Sequence, residues 1–340
     1  MTGTAQPARA APIARPRLGF LGVGWIGRNR LNAVANSGCA EIVAVGDADL
    51  DAAAQAAAAW PDTHVCDSLE ALLETVPDGV LIATPSSLHA RQAIAALESG
   101  CTVFCQKPLA RNAAETLDVI QAAQRADRLL AVDFCYRNVS GMPRLREAIR
   151  AGELGQIYAI DLVFHNAYGP DKAWFYDLRQ SGGGCVMDLG IHLVDLALWA
   201  LDFPDVAHVS SRLYAQGSVL GKPAAALEDY AIAEIELASG ATARLACSWR
   251  LPAGCDAVIE ASFYGTKGGA AIRNVNGSFY DFEVQRFRGT ARETLGTFPD
   301  DWGGRAVLEW AERLNHDRRF DTQAEHLAEV ARIVDTIYAR

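Results

Sequence analysis

The stretch MDLGIHLVDLALW, residues 187–199, places Asp188, His192, Asp195 and Trp199 on one narrow face of a helix at 100° per residue. Its other faces carry Met187, Leu189, Ile191, Leu193, Val194, Leu196 and Leu198, and a helix apolar almost all round is normally buried. Buried carboxylates and imidazoles are costly unless paired or put to work. The face is therefore either a satisfied structural His–Asp network or the wall of a reaction site. His192 carries the side chain whose ordinary pKa suits proton transfer near neutrality. Asp188, one turn earlier, can hold a substrate hydroxyl or bias the imidazole. Lys107, in CQKPLA, follows an apolar strand and precedes Pro108, which fixes the backbone as the chain leaves that strand. A base, a positive group for a developing alkoxide and a hydride acceptor are what oxidation of a secondary alcohol requires.

The hydride acceptor has its own signature. GFLGVGWIGRNRL holds Gly22, Gly24 and Gly27 in G-x-G-x-x-G spacing between a strand and a helix. The first glycine permits the tight turn, the second lets backbone approach a pyrophosphate, and the third allows close helix–strand packing, with the helix N-terminus facing the phosphates. Asp47 ends the next strand about 20 residues on, where a carboxylate binds the adenosine ribose hydroxyls. A 2′-phosphate would more often need a basic residue there, so Asp47 points to NAD over NADP.

The elements that must position these groups fall into two sets. From residue 17 to about 135, short apolar runs (RLGFLG, EIVAVGD, THVCD, GVLIAT, CTVFCQ, LLAVDFCY) alternate with helical stretches, which implies right-handed βαβ units and a doubly wound parallel sheet. Beyond about 137 a helix leads into β-rich runs (IYAIDLVFHNAYG, AHVSSRLYAQGSV, DYAIAEIELASG, ATARLACSWRL, AVIEASFYG, GGAAIRNV) joined by glycine turns, as in antiparallel hairpins. Two amphipathic C-terminal helices close the chain. A length of 340 residues suits two domains. A net charge of −10 argues against nucleic acid as partner. No apolar run approaches the roughly 18 residues of a membrane span, and the Ala/Pro-rich N-terminus lacks a signal-peptide core. Eight scattered cysteines without a CxxC pair read as reduced thiols of a cytoplasmic protein, with no metal site.

With the glycine fingerprint, three stretches resemble the Gfo/Idh/MocA oxidoreductase family. ATPSSLHARQAI resembles its nicotinamide-side segment, with Thr84, Pro85 and His89 matching and Ser86 where asparagine is common. CQKPLA resembles its Glu-Lys-Pro motif, and GGGCVMDLGIHLVDLALW its Asp-x-x-x-His segment, with Asp188 and His192 in place. The resemblance implies an α/β N-terminal Rossmann domain (17–136, after a flexible tail over 1–16) and an α+β C-terminal domain (137–340). The latter would carry a large, mainly antiparallel open-faced sheet, with C-terminal helices packing back on the first domain. It implies cofactor contacts from Trp25, Ile26, Ala83, Thr84, Pro85, Ser86, His89, Gln106 and Lys107 besides Gly22, Gly24, Gly27 and Asp47. Catalysis would fall to Lys107, Asp188 and His192, with substrate contacts from these three and from Arg137, Asn166 and Lys172. FCYRNVSG and FHNAYGPDKAWFYD add Tyr136, Asn138, His165, Tyr168, Trp174 and Tyr176 as candidates.

The activity implied is an NAD-dependent dehydrogenase of a polyhydroxylated sugar, cyclitol or sugar-bearing metabolite. A homodimer or homotetramer would form through the open sheet face, expected to be rich in Val, Ile, Ala and aromatic residues. The same fold also serves a dinucleotide-binding sugar sensor without dehydrogenase chemistry and an NAD-dependent glycosidase. Gln106 departs from the family glutamate, and restoring Glu there is expected to be tolerated.

Overall fold

The computed structural model describes residues 15–340 except 222 and 225, so most of the tail expected over 1–16 lies outside the described residues. The first half alternates β1 (Arg17–Leu21), α1 (Trp25–Ser37), β2 (Glu41–Gly46), α2 (Leu50–Ala57), β3 (His64–Cys66), α3 (Leu69–Leu73), β4 (Gly79–Ile82), α4 (Ser86–Glu98), β5 (Thr102–Cys105), α5 (Ala113–Ala126) and β6 (Leu130–Val132). The strands form a six-stranded parallel sheet in the order β3-β2-β1-β4-β5-β6. Its central strands are buried on both faces, as their unbroken apolar runs require. Strand order reverses at β1/β4, and the crevice beyond the carboxyl ends of those strands is where ligands bind in such sheets. Asp49 and Asn112 accept hydrogen bonds from the opening amides of α2 and α5. α1 opens on Gly24 with no side chain capping it, so its first amides are left for another acceptor.

The second half holds α6 (Met142–Arg150), β7 (Ile157–Asn166), α7 (Leu178–Ser181), a π-helical turn Val186–Gly190, α8 (Ile191–Ala200), β8 (Val206–Ala215), β9 (Ser218–Val219), β10 (Tyr230–Leu237), β11 (Thr242–Ser248), β12 (Ala257–Gly265), β13 (Gly269–Asn274), β14 (Phe282–Arg288), β15 (Ala291–Gly296), α9 (Arg305–Arg313) and α10 (His326–Tyr338). A nine-stranded sheet runs β15-β14-β13-β12-β7-β11-β10-β8-β9, antiparallel throughout except β7 with β11. Strand alternation sends Ile160, Leu162, Phe164, Ala233, Ile235, Leu245 and Phe263 into one core with the apolar faces of the π turn, α8 and α10.

The opposite face differs from expectation. It carries Tyr230, Ile232, Ala246, Val163 and Val258 but also Glu234, Glu236 and the ion pairs Arg244–Asp161 and Arg273–Glu260, so it is a mixed surface. Strands β14 and β15 were not foreseen either. The charged sequence of β15, ARETLG, follows from lying at the sheet edge, where it buries only Leu295, and β14, FEVQRFR, lies beside it and buries Phe282 and Val284. Leu178–Ala200 is, by length and composition, apolar enough to span a membrane, contrary to the sequence reading. It is instead broken into α7, the π turn and α8, and it is mostly buried inside the protein.

The C-terminal helices reach both cores. Val307, Trp310, Ala311 and Leu314 pack with Leu18, Phe20 and Phe104 of the first sheet, and Trp310 lies 5.6 Å from Phe104. α10 joins the second core through Val330, Ile333, Val334 and Ile337, while Ala324 and Ala328 pack into the first. A Cβ on Gly79 would stand 2.8 Å from the Trp310 ring, so the strand has been cleared for that indole. Trp310→Ala is therefore expected to cost about 3–5 kcal/mol in urea unfolding. A loss below about 1 kcal/mol would mean that the ring is not an integral part of the core.

Candidate active site

A cavity of about 830 Å3 lies between the carboxyl ends of the parallel strands and the π turn–α8 segment. Its outer end is the glycine turn. Gly22 has φ +87°, and a Cβ there would meet the Ala83 carbonyl at 2.6 Å. A Cβ on Gly27 would lie 2.0 Å from the Gly22 oxygen, so this glycine packs helix against strand rather than facing the cavity. A Cβ on Gly24 would meet nothing within 4 Å, which leaves the uncapped end of α1 open to a ligand. The backbone opening and uncapped amides suit a pyrophosphate, and Trp25 and Ile26 line the cavity beside them. Asp47 accepts from Val23 N at 2.8 Å and from Asp49 N at 3.0 Å, which fixes its carboxylate beside the turn. The residues present fit a dinucleotide.

Farther in, Ala83, Thr84, Pro85 and Ser86 line the wall where β4 enters α4. His89 is buried there, with Nδ1 2.7 Å from the Pro108 carbonyl and Nε2 2.7 Å from the Thr84 carbonyl. It ties the segment after β4 to the segment after β5. Burial lowers its pKa.

At the inner end, Lys107 Nζ donates to the Asp188 carbonyl at 2.6 Å and to Asp188 Oδ1 at 2.8 Å. Trp249 Nε1, at the end of β11, donates to Asp188 Oδ2 at 3.0 Å, so both carboxylate oxygens are engaged. Asp188 sits in the π turn, a widened turn found often at functional sites, which re-aims it relative to α8. His192 also lines the cavity, backed edge-on by Tyr136 at 5.0 Å and Phe134 at 6.3 Å between ring centroids. Its Nδ1 is buried without a partner, leaving Nε2 as the nitrogen toward the cavity. Burial, reinforced by the charges of Lys107 and Arg30, holds its pKa well below 6.5, so the ring is neutral at pH 7.

What holds the π turn is a buried cluster that the sequence reading missed. Glu228 accepts from Gly184 N at 3.0 Å and Val186 N at 2.9 Å, and Tyr338 donates to it at 2.7 Å while accepting from Met187 N at 3.1 Å. Gly184 is obligatory because a Cβ would lie 2.0 Å from the Glu228 carbonyl. Gly183 serves the same seat, since a Cβ there would lie 2.2 Å from the Tyr338 hydroxyl, and it also lines the cavity. Glu228 stands in a polar-looking turn and Tyr338 near the C-terminus, so no local pattern joins them. Asp133 and Arg30, also lining the cavity, were missed too, although an acid within the apolar run LLAVDFCY was a signal.

The helix face proposed from periodicity divides. Asp188 and His192 face the cavity, whereas Asp195 is fully buried in a bidentate pair with Arg137, which also lies over Phe134, Trp199 and Phe203. Arg137 therefore does not reach the cavity: Asp195 and the rings hold it. Asn166 does not line it either, because its side chain accepts from Tyr168 N at 2.7 Å beside the end of β7. Lys172 does line it, paired with Asp171 at 3.2 Å, together with Trp174 and Phe175. His165 instead bonds Ser248, Tyr168 bonds Asp256 and Tyr176 bonds Pro170. Tyr136 is the wall behind His192, and Asn138 does not line the cavity.

The depressed pKa of His192 has a consequence for stability. The unfolded chain takes a proton near pH 6.5 that the folded ring refuses, so stability is full above that pH and is lost as pH falls below it. His192→Asn is expected to remove this sensitivity. The parent should lose about 1 kcal/mol or more relative to the variant between pH 7 and 5 in parallel thermal melts. Parallel curves would show that the ring is not held neutral. The difference is the readout, because Asp195 and Glu228, pushed upward by burial, are common to both proteins.

Residues 16–134 match the family described as "Oxidoreductase family, NAD-binding Rossmann fold", and residues 142–271 match the "GFO/IDH/MocA C-terminal domain". The chain is 32% identical to D-glucoside 3-dehydrogenase of Escherichia coli (strain K12) over 243 residues, covering 68% of this chain and 69% of that protein. Among solved structures it resembles levoglucosan dehydrogenase in complex with NADH and levoglucosan, with a TM-score of 0.80, 21% identity and 95% and 97% of the two chains covered. A 3-ketoreductase from Actinomadura kijaniata in complex with NADP and TDP-benzene superposes with a TM-score of 0.79 at 21% identity, covering 95% and 97%. The two matched segments, in this order and around this site, show that the chain belongs to the Gfo/Idh/MocA family of oxidoreductases.

Proposed function

We propose that this protein is an NAD-dependent dehydrogenase that oxidises a secondary hydroxyl of a sugar, cyclitol or sugar-bearing metabolite. The observation that carries the reading is the meeting of Lys107, Asp188 and His192 at the inner end of a cavity whose outer end is the glycine turn and Asp47. NAD, when bound, supplies the hydride acceptor at its nicotinamide. Gly22, Gly24 and the opening amides of α1 would hold its phosphates, and Asp47 its adenosine ribose. The neutral His192 takes the hydroxyl proton at Nε2, and the Lys107 ammonium stabilises the oxygen as negative charge develops on it. Asp188 keeps Lys107 in place from the second half of the chain. Trp174 and Phe175 offer apolar surface to one face of a ring, and Lys172 with Asp171 offers polar contacts to its hydroxyls. Retention of Lys107, Asp188 and His192 favours this reading over a sensor without chemistry. Release of free sugar without net NADH would instead indicate the glycosidase.

Absorbance of NADH over a panel of sugars, cyclitols and aminoglycosides tests the activity directly. On the substrate so found, Lys107→Ala and His192→Ala should each abolish most turnover with NAD affinity nearly intact, the His192 loss lying at about 10²–10⁴-fold in kcat. Full activity of His192→Ala would overturn the assignment. Titration of both oxidised cofactors should give tighter binding of NAD than NADP, because the Asp47 carboxylate repels a 2′-phosphate. Equal or tighter NADP binding would remove that role from Asp47.

A further inference from the structure

Behind Gln106 lies a buried charge pair that the chemistry above does not use. Asp133, at the exit of β6, has a fully buried side chain, and its Oδ2 accepts from Arg30 Nε at 2.6 Å. Gln106 Nε2 donates to the same oxygen. Arg30, itself buried, comes from α1, the helix that opens on the glycine turn. Asp133 Oδ1 is buried without a partner. Three segments of the first half, α1 and the exits of β5 and β6, thus converge on one carboxylate oxygen beside the cavity.

The chemistry of that oxygen dictates the orientation of Gln106. An ionised carboxylate only accepts, so the amide must turn its NH2 toward Asp133 and its carbonyl oxygen away. Gln106 lines the cavity immediately before Lys107, and its Oε1 has no protein partner and is not among the buried unpartnered atoms. The carbonyl is therefore presented to the cavity as an acceptor. An ionised glutamate at 106 could not make this bond. Two carboxylates would meet in a buried site served by one guanidinium, and one of them would have to take a proton.

We propose that Asp133, held by Arg30, is a positioning residue that aims Gln106 at the bound cofactor, and that positions 106 and 133 together accommodate one negative charge. The inference rests on the cavity being the NAD site. It reverses the expectation that Gln106→Glu would be tolerated.

Titration of NADH by its nicotinamide fluorescence, with thermal melts of the same proteins, tests it. Gln106→Glu is expected to weaken NADH binding about tenfold or more and to lower the melting temperature. The double variant Gln106→Glu/Asp133→Asn, which again opposes one carboxylate with one carboxamide, is expected to recover most of both. Asp133→Asn alone should weaken NADH binding but add no further loss of affinity in a Gln106→Ala background, since its effect runs through Gln106. A Gln106→Glu protein that binds NADH like the parent, a double variant no better than Gln106→Glu, or additive losses in the alanine background would each overturn the proposal. If Gln106→Glu does not fold, recovery of folding by the double variant supports the proposal, and failure of that recovery counts against it. A parent protein that binds no NADH would defeat the functional reading instead, and the charge pairing would still be decided by the melting temperatures.

Discussion

The ion pair between Lys107 and Asp188 is the contact on which the site depends. Lys107 leaves the parallel sheet at the end of β5, and Asp188 belongs to the π turn seated on the antiparallel sheet, so the pair spans both halves of the chain. It is mostly shielded from water, with 17% and 14% of the side chains exposed, and an unmatched charge there would be expensive. The geometry avoids that cost. Lys107 is shared between the Asp188 carbonyl and Oδ1, and Trp249 closes Oδ2. His192, 4 residues farther along the same segment, lines the same cavity with Tyr136 and Phe134 packed edge-on behind its ring.

Buried charge is arranged in the same spirit around the cavity. Arg30–Asp133 stands behind Gln106, Arg137–Asp195 behind the helix of His192, and Glu228 with Tyr338 beneath the π turn. Buried ion pairs contribute little net stability compared with well-packed apolar residues. Each here joins segments distant in the chain immediately behind a cavity residue. What such pairs supply at these positions is a fixed orientation, because a misplaced partner leaves a charge uncompensated. Each core is otherwise apolar and would accept small shifts of its own elements. The polar seats remove that freedom where the geometry matters.

Local physics made much of the protein legible. Apolar runs of strand length between helical stretches specify a parallel sheet, glycines at fixed spacing specify the turn before α1, and β-rich runs such as DYAIAEIELASG and ATARLACSWRL, joined by a glycine turn, specify antiparallel hairpins. The charged strands β14 and β15 were not legible, because β14 alternates only over Phe282–Gln285 and the edge strand β15 buries Leu295 alone. The polar face of 187–199 was half legible. Its residue types announced buried polar work, but the 100° period assumed an α-helix, and the π turn breaks that period between Asp188 and His192.

The sequence by itself therefore determined the two-part architecture, the dinucleotide turn with Asp47, and the residue types Lys107, Asp188 and His192, since each is written in neighbours a few residues apart. Only the tertiary structure decided which polar residues face the cavity and which are held away from it. Arg137 and Lys172 are both cations in loops beside helices, yet one is captured by Asp195 and three aromatic rings and the other lines the cavity. Gln106 read alone is a glutamate lacking a charge. Beside Asp133, brought to it by the pairing of β5 with β6, it is the donor that this carboxylate requires. Such outcomes rest on contacts between residues tens to hundreds of positions apart, whose hydrogen-bonding demands no local pattern encodes.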